Sequence, residues 1–282
     1  FKGVCSANDS QLAYDEGVSY KIYMDTPRIL QEKETLYEKN SPVSVTQTNY
    51  TYDNDGLPRN IAVTHSEGTR TTTYKYVSES NNYLHREMFH RHMLSFPIEQ
   101  TLTFTDYLGT SYKVETQQFS YKKESNNYVL ASISKAKGDY PLEKELEFFS
   151  YSNKGKPFYI KGRNSDTYYL WGYDGTYQIA KIETINYSEL RKALSSLGID
   201  PYKTSFSKEE IALINNIRNF LPNAQVTTYD YIPLVGVKSI TDPSGLTTYY
   251  EYDDFGRLKQ AYIREYGKKA VLENYEYHYG NQ

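Results

Sequence analysis

Tyr250-Glu251-Tyr252-Asp253-Asp254-Phe255-Gly256-Arg257-Leu258 is the stretch on which the reading of this chain turns. Tyr250 and Tyr252 lie two apart, so on a strand both rings project from one face. Asp253 can bond the backbone two residues on and so end that strand. Gly256 supplies the positive φ that a tight return requires. Arg257 and Leu258 open the next strand. The run is a hairpin module, and such modules come in series.

Tyr50-Thr51-Tyr52-Asp53-Asn54-Asp55-Gly56-Leu57-Pro58 keeps the spacing, with Leu57 in the place of Arg257. Looser copies begin at Tyr74-Lys75-Tyr76, Phe119-Ser120-Tyr121, Phe149-Ser150-Tyr151-Ser152, Trp171-Gly172-Tyr173-Asp174-Gly175, Tyr229-Asp230-Tyr231 and Tyr275-Glu276-Tyr277. The second ring of each pair falls at 52, 76, 121, 151, 173, 231, 252 and 277. Several of these intervals are 21 to 25 residues, which fits two strands and two turns. The interval from 76 to 121 has room for two units, one of them degraded beyond sight. Alternation persists between copies, as in Thr101-Leu102-Thr103-Phe104-Thr105. Gly109, Lys137-Gly138-Asp139 and Asp242-Pro243-Ser244-Gly245 mark turns. The period predicts a mainly β chain folded as an antiparallel meander.

Composition agrees. Of 282 residues, 32 are Tyr, against 11 Phe, 3 Met and 1 Trp. Tyr has high β propensity and tolerates half-burial. With 38% hydrophobic residues, the chain suits a sheet with one wet face. The formal charge is −3, from well-mixed acidic and basic residues, so no basic field exists to attract nucleic acid or anionic lipid. No apolar run approaches the length of about 18 residues needed for a membrane helix, and no membrane insertion is expected. Phe1 to Ser10 lack the pattern of a signal peptide. Cys5 is the only cysteine, which excludes an internal disulfide framework. It is expected to be a free thiol in an N-terminal tail. Sequons at Asn8, Asn49 and Asn186 do not identify a compartment.

One stretch changes period. Asn186 with Glu189 caps a first helix, with Leu190, Ala193, Leu194 and Leu197 on one face. Ser207 with Glu210 caps a second that carries Ile211, Ile214, Ile217 and Leu221. Apolar stripes need cover, so these helices are expected to pack on the sheet.

The residues offer little chemistry. His85-Arg86-Glu87 matches half of a zinc-deaminase signature, without its cysteine pair. His90 and His92, with Glu87 nearby, are two ligands and a neighbour rather than a metal site. Asp53-Asn54-Asp55-Gly56 lacks the closing Glu of a calcium loop. Asp253 and Asp254 would point to opposite faces of a strand. Arg257 is expected to pair with a carboxylate or stack on a ring. No catalytic residue, metal site or cofactor is expected. Tyr169, Trp171 and Tyr173 alternate onto one strand face, with Tyr168 and Leu170 on the other. Exposed, that row would be a candidate for stacking on a sugar or a protein partner; buried, it would be core.

Tyr250, Tyr252, Asp253, Gly256, Arg257 and Leu258 together closely resemble the YD repeat of the RHS-repeat family, and Tyr50, Tyr52, Asp53 and Gly56 match it in part. That family includes bacterial polymorphic toxins, insecticidal toxin-complex shells and teneurin adhesion proteins. The resemblance spans about residues 50–282 and is strong over 226–282. It implies an extended, curved antiparallel sheet of YD-type hairpins, open or partly closed into a shell, with a two-helix insertion. The segments expected are 1–49, a β segment continuous with the array; 50–185, degenerate hairpins; 186–222, the helical insertion; and 223–282, the best-matching hairpins. The implied role is a non-catalytic β scaffold and binding surface of a cell-surface or secreted bacterial protein. Alternatives are a carbohydrate-binding module and a fragment of a toxin-enclosing shell. The partners implied are the rest of the same array, another surface protein or a carbohydrate. Asp242-Pro243-Ser244-Gly245-Leu246 resembles a self-cleavage motif of some members, but its turn chemistry and the Tyr-rich strand after it make it a turn.

Overall fold

The computed structural model describes residues 28–277 apart from positions 153 and 184. Cys5, the Asn8 sequon and Phe1 to Ser10 lie outside the described residues. Sixteen strands follow one another. They are β1 Gln31–Glu38, β2 Ser41–Tyr52, β3 Pro58–His65, β4 Gly68–Tyr76, β5 Pro97–Asp106, β6 Ser111–Glu124, β7 Asn127–Lys137 and β8 Glu143–Tyr151. Then come β9 Pro157–Gly162, β10 Asp166–Gly172, β11 Tyr177–Glu183, β12 Gln225–Ile232, β13 Gly236–Thr241, β14 Thr247–Tyr252, β15 Leu258–Glu265 and β16 Lys268–Asn274. All belong to one sheet in strict chain order. Each strand runs antiparallel to the next, so the meander read from the alternation is the fold. Among the described residues β1 and β16 have one neighbour each, and the sheet is open.

Five connections share one turn, at 53–57, 106–110, 152–156, 242–246 and 253–257. In each the first residue's N–H donates to the carbonyl of the fifth, and the fourth, a Gly, donates back to the first. The side-chain oxygen of the first residue accepts from the fifth N–H, at 2.8 Å for Asp53, 2.9 Å for Asp106, Asp242 and Asp253, and 3.2 Å for Ser152. The Gly has φ between 71° and 88° in all five, which is why no other residue type stands there. Asp242 to Leu246 is thus built like Asp253 to Arg257.

Three α-helices interrupt the meander: α1 Tyr83–His90 between β4 and β5, and α2 Tyr187–Ser196 and α3 Lys208–Asn215 between β11 and β12. Asn186 caps α2 through the Glu189 N–H, and Ser207 and Glu210 cap α3 reciprocally. Leu190, Ala193 and Leu194 of α2, with Ile214 and Ile217, are buried against Phe158, Tyr168, Leu170, Ile182 and Val226 of the sheet. This is the larger core. Tyr168, Leu170, Ile182 and Val226 share one sheet face, called here the helix face; the other is the open face.

The long interval from 76 to 121 holds α1 rather than a hidden repeat. Asn82 caps α1 by accepting from the Leu84 N–H. Met88 of α1 is fully buried against Val77 and Tyr128, a second and smaller core.

Candidate functional site

The second ring of each pair has a fixed duty. Tyr52 O–H donates to the Ile29 carbonyl at 2.7 Å, Tyr76 to Pro58 at 2.9 Å, and Tyr121 to Pro97 at 2.6 Å. Tyr151 donates to Leu130, Tyr231 to Gln178 at 3.0 Å, Tyr252 to Val237 at 2.8 Å, and Tyr277 to Leu258 at 2.8 Å. In the fifth unit the donor is the Trp171 Nε1–H, 2.7 Å from the Pro157 carbonyl.

The acceptors are not arbitrary. Pro58 is the residue paired with Tyr52, Pro97 with Tyr76, Leu130 with Tyr121, and Pro157 with Tyr151. Gln178 is paired with Trp171, Val237 with Tyr231, and Leu258 with Tyr252. Each aromatic after Tyr52 therefore donates to the residue opposite the aromatic of the unit before it. A β-bulge precedes every one of these seven paired rings, with one extra residue on the following strand. Bulges raise the local twist, so the device sits where the sheet bends.

Burial pushes the Tyr76, Tyr121, Tyr151 and Tyr252 phenols above their ordinary range, and carries Tyr231 up to about 12. These hydroxyls stay protonated, and remain donors, at any pH near neutral.

The motif residues singled out from the sequence fall into this frame. Tyr250 and Tyr50 are the first rings of their pairs; the Tyr50 O–H reaches Glu32 at 2.7 Å. Asp253 binds the Phe255 and Arg257 N–H groups and the Arg257 guanidinium, which holds its carboxyl below the usual range. Arg257 also lies 4.2 Å from the centre of the Tyr277 ring. Leu258 is the carbonyl acceptor for Tyr277.

The row Tyr169, Trp171 and Tyr173 does not hold together. Strand β10 ends at Gly172, and Tyr173 has φ 53°, a turn conformation. Its ring packs edge-on against Tyr177 and Tyr231, and its O–H donates to Asp230 at 2.9 Å. The ladder position of this unit is Trp171, two residues earlier than the spacing of rings alone indicates. Trp171 is half-buried, bonded through its N–H, and overlain by Lys156. Tyr169 remains on the open face, opposite Lys181.

Two further places carry polar groups in a concave setting. A groove of about 720 Å³ runs between α3 and β12–β13, lined by Tyr173, Phe206, Ile211, Asn215, Asp230 and Lys238 among others. Asp230 accepts there from Tyr173 and, at 2.6 Å, from Lys238. Thr228 donates to Asn215 at 2.6 Å, and Arg218 bonds the Asp242 carbonyl at 2.7 Å. Within the groove, Asp230 is thus engaged with Tyr173 and Lys238, and Thr228 with Asn215. The other place is a crevice under α1, where His85 Nδ1 lies 2.8 Å from Ser80 Oγ and burial lowers the imidazole's pKa. Ser80 Oγ also accepts from the Asn82 N–H at 3.2 Å, a turn contact leading into the helix. Glu87 accepts from Tyr128 at 3.0 Å and Tyr83 at 3.2 Å. Among the described residues no three His, Cys, Asp or Glu side chains converge as a metal site would require. Nor is any described helix long and apolar enough to cross a membrane.

Residues 236–268, which are β13, β14 and β15 with their turns, match the family model of the RHS repeat. This segment of the chain carries an RHS repeat. The matched segment contains the complete Tyr250 to Leu258 run and two of the five shared turns. No curated protein matches the sequence. Solved structures that resemble it include TcdB2-TccC3, at 15% identity over 85% of this chain and 14% of that one, with a TM-score of 0.37. Another is the Tc holotoxin pore of Photorhabdus luminescens, at 13% identity over 83% and 12% of the two chains and a TM-score of 0.36. The chain therefore spans 12% to 14% of the length of those chains.

Proposed function

We propose that this chain is a non-catalytic stretch of RHS-repeat array, a β scaffold that forms part of a wall in a secreted or surface-displayed bacterial protein of the toxin-shell kind. The observation that carries the reading is the run of eight aromatic-to-carbonyl bonds from Tyr52 to Tyr277. Every repeat after the first ties its most distinctive side chain to the unit before it, as an architectural array does and a site does not. The carboxylates of the motif are likewise committed, Asp253 to its turn and to Arg257. Carbohydrate stacking finds no such support, because Trp171 is tied to Pro157 and Tyr173 has left the row.

Hydrogen exchange on the chain, run beside a panel of ester, phosphoester and glycoside substrates, tests this. Protected amides along the strands with no turnover are expected. Turnover that copurifies with the protein and is lost in Ser80→Ala or Glu87→Gln would sink the scaffold reading.

A further inference from the structure

Helix α3 packs on the helix face at β11 and β12, and β13 lies beyond it. Thr228 and Asp230 follow Val226 on that face, and Thr241 and Ser239 of β13 stand opposite them. The space between α3 and these strands is the groove of about 720 Å³. Its walls are mainly apolar, with Phe206, Ile211 and Ala212 on the α3 side and Ile232 and Pro233 on the strand side. That size, with apolar walls and a few polar groups, is what a small-molecule site requires.

The polar groups decide which molecule fits. Asp230 is the one carboxylate among the lining residues, and its oxygens are taken. Oδ1 accepts from the Tyr173 O–H at 2.9 Å and the Tyr231 N–H at 3.0 Å, and Oδ2 accepts from Lys238 at 2.6 Å. Tyr173 reaches Asp230 from a strained backbone: it and Asp174 both have left-handed φ, 53° and 57°, which bulky residues keep only where their surroundings impose it. Donors, by contrast, are in excess. Lys238 commits one of its N–H groups to Asp230 and has others to give. Lys208 is exposed on the α3 side and makes no ion pair among the described residues. Asn215 accepts at Oδ1 from Thr228 and Arg218, and its NH2 group has no partner among the described residues. The groove thus sets two lysines against one aspartate that is already bonded. A cation entering it meets like charge and no free carboxylate; an anion with an apolar body is matched at both ends.

We infer that this groove is a binding site for a small amphiphilic carboxylate. The apolar chain lies along Phe206, Ile211 and Ile232, and Lys238 and Lys208 hold the carboxylate. Covering the chain supplies stabilisation in proportion to the methylene groups removed from water, and the ammonium groups add charge-assisted hydrogen bonds that select the head. The inference goes beyond the scaffold reading and does not depend on it.

Isothermal titration calorimetry of the full 282-residue chain with sodium dodecanoate, kept below its micelle concentration, reads the site. Saturable binding is expected, roughly tenfold tighter than that of dodecanol or dodecyltrimethylammonium, which share the chain and lack the carboxylate. Lys238→Gln should weaken binding roughly tenfold and Lys208→Ala roughly two- to fivefold, the smaller effect belonging to the more exposed charge. Ala212→Trp, which fills the groove from an exposed helix position, should abolish it. Each variant is first shown folded by circular dichroism. Bound dodecanoate should slow hydrogen exchange in α3, β12 and β13 and leave β2 to β6 unchanged. No saturable binding would overturn the inference, as would equal affinity for the three dodecyl compounds or an affinity indifferent to both lysines. An apolar peptide with a free C-terminus that binds more tightly than dodecanoate would overturn it in favour of a chain-terminus site. Each of these failures leaves the aromatic-to-carbonyl bonds, and with them the scaffold reading, in place.

Discussion

Replacing Tyr121 by Phe removes one oxygen and nothing else. The ring keeps its edge-on contact with Phe96, 5.7 Å between centres. What disappears is the O–H donated to the Pro97 carbonyl at 2.6 Å. A net hydrogen bond is worth about 1 kcal/mol, and a buried acceptor deprived of its donor costs about 1–3 kcal/mol. The phenol is buried enough for its pKa to rise, so water replaces it poorly. The expected loss is therefore about 1–2 kcal/mol, a factor of roughly 5–30 in the local opening equilibrium. In a repeat array each unit contacts its neighbours, so the effect should be local. Amides of β5, β6 and β7 should exchange faster by that factor, and those of β14 to β16 should not change. Tyr249→Phe is the control, since Tyr249 stacks on Tyr262 and its hydroxyl has no bonding partner among the described residues. Mass-spectrometric hydrogen exchange on both variants makes the comparison. If Tyr121→Phe behaves like Tyr249→Phe, or if its effect is spread evenly over the sheet, the hydroxyl relay is not what ties the units.

Gly256→Ala has space for its methyl, with Val235 at 3.8 Å, but φ is 74°; it should cost about 1–2 kcal/mol in urea unfolding, and Gly256→Asn less. Ile217→Ala should cost about 2–5 kcal/mol and expose the α2–α3 region to proteolysis, because Ile217 is fully buried under the sheet. Raising pH should unfold the chain from pH 10 upward. The buried phenols have folded pKa values above 10.0, the unfolded value, so their contribution is complete below pH 10 and is lost as pH rises toward the folded values, about 12 for Tyr231. Absorbance of tyrosinate followed against circular dichroism checks this; ionisation of all tyrosines before any loss of structure would contradict it.

Much of this was legible because it is local. Period-two pairs, an Asp or Ser followed by Gly three residues on, and caps at Asn186 and Ser207 are short-range signals, and each marks a strand end, a turn or a helix start in the structure. Helix α1 was not legible: it is one eight-residue stretch, capped by Asn82, with Met88 as its buried anchor, and its polar surface resembles a loop. The choice of Trp171 over Tyr173 was hidden for a different reason. Both are aromatic and both fit a Tyr-x-Tyr-like spacing, but only the bulge after Leu170 decides which ring enters the ladder. The acceptors were beyond reach altogether, since each lies 14 to 53 residues upstream of its donor.

Yet the relay does leave a trace in the residue types. The first ring of a pair is Tyr50, Tyr74, Phe119, Phe149, Tyr169, Tyr229, Tyr250 or Tyr275; Phe is tolerated there twice. The second is Tyr in seven units and Trp in one, never Phe. Packing alone cannot explain that contrast, because Phe fills the same volume as Tyr. A requirement for a hydrogen-bond donor explains it, and Trp is the other aromatic that meets it. It follows that the bond runs one way. Each ring donates backward, to the unit preceding it, so losing a second-position ring should loosen the earlier bulge more than its own turn. At those second positions the array selects a half-buried ring that carries a proton to a fixed carbonyl, which places seven of the 32 tyrosines.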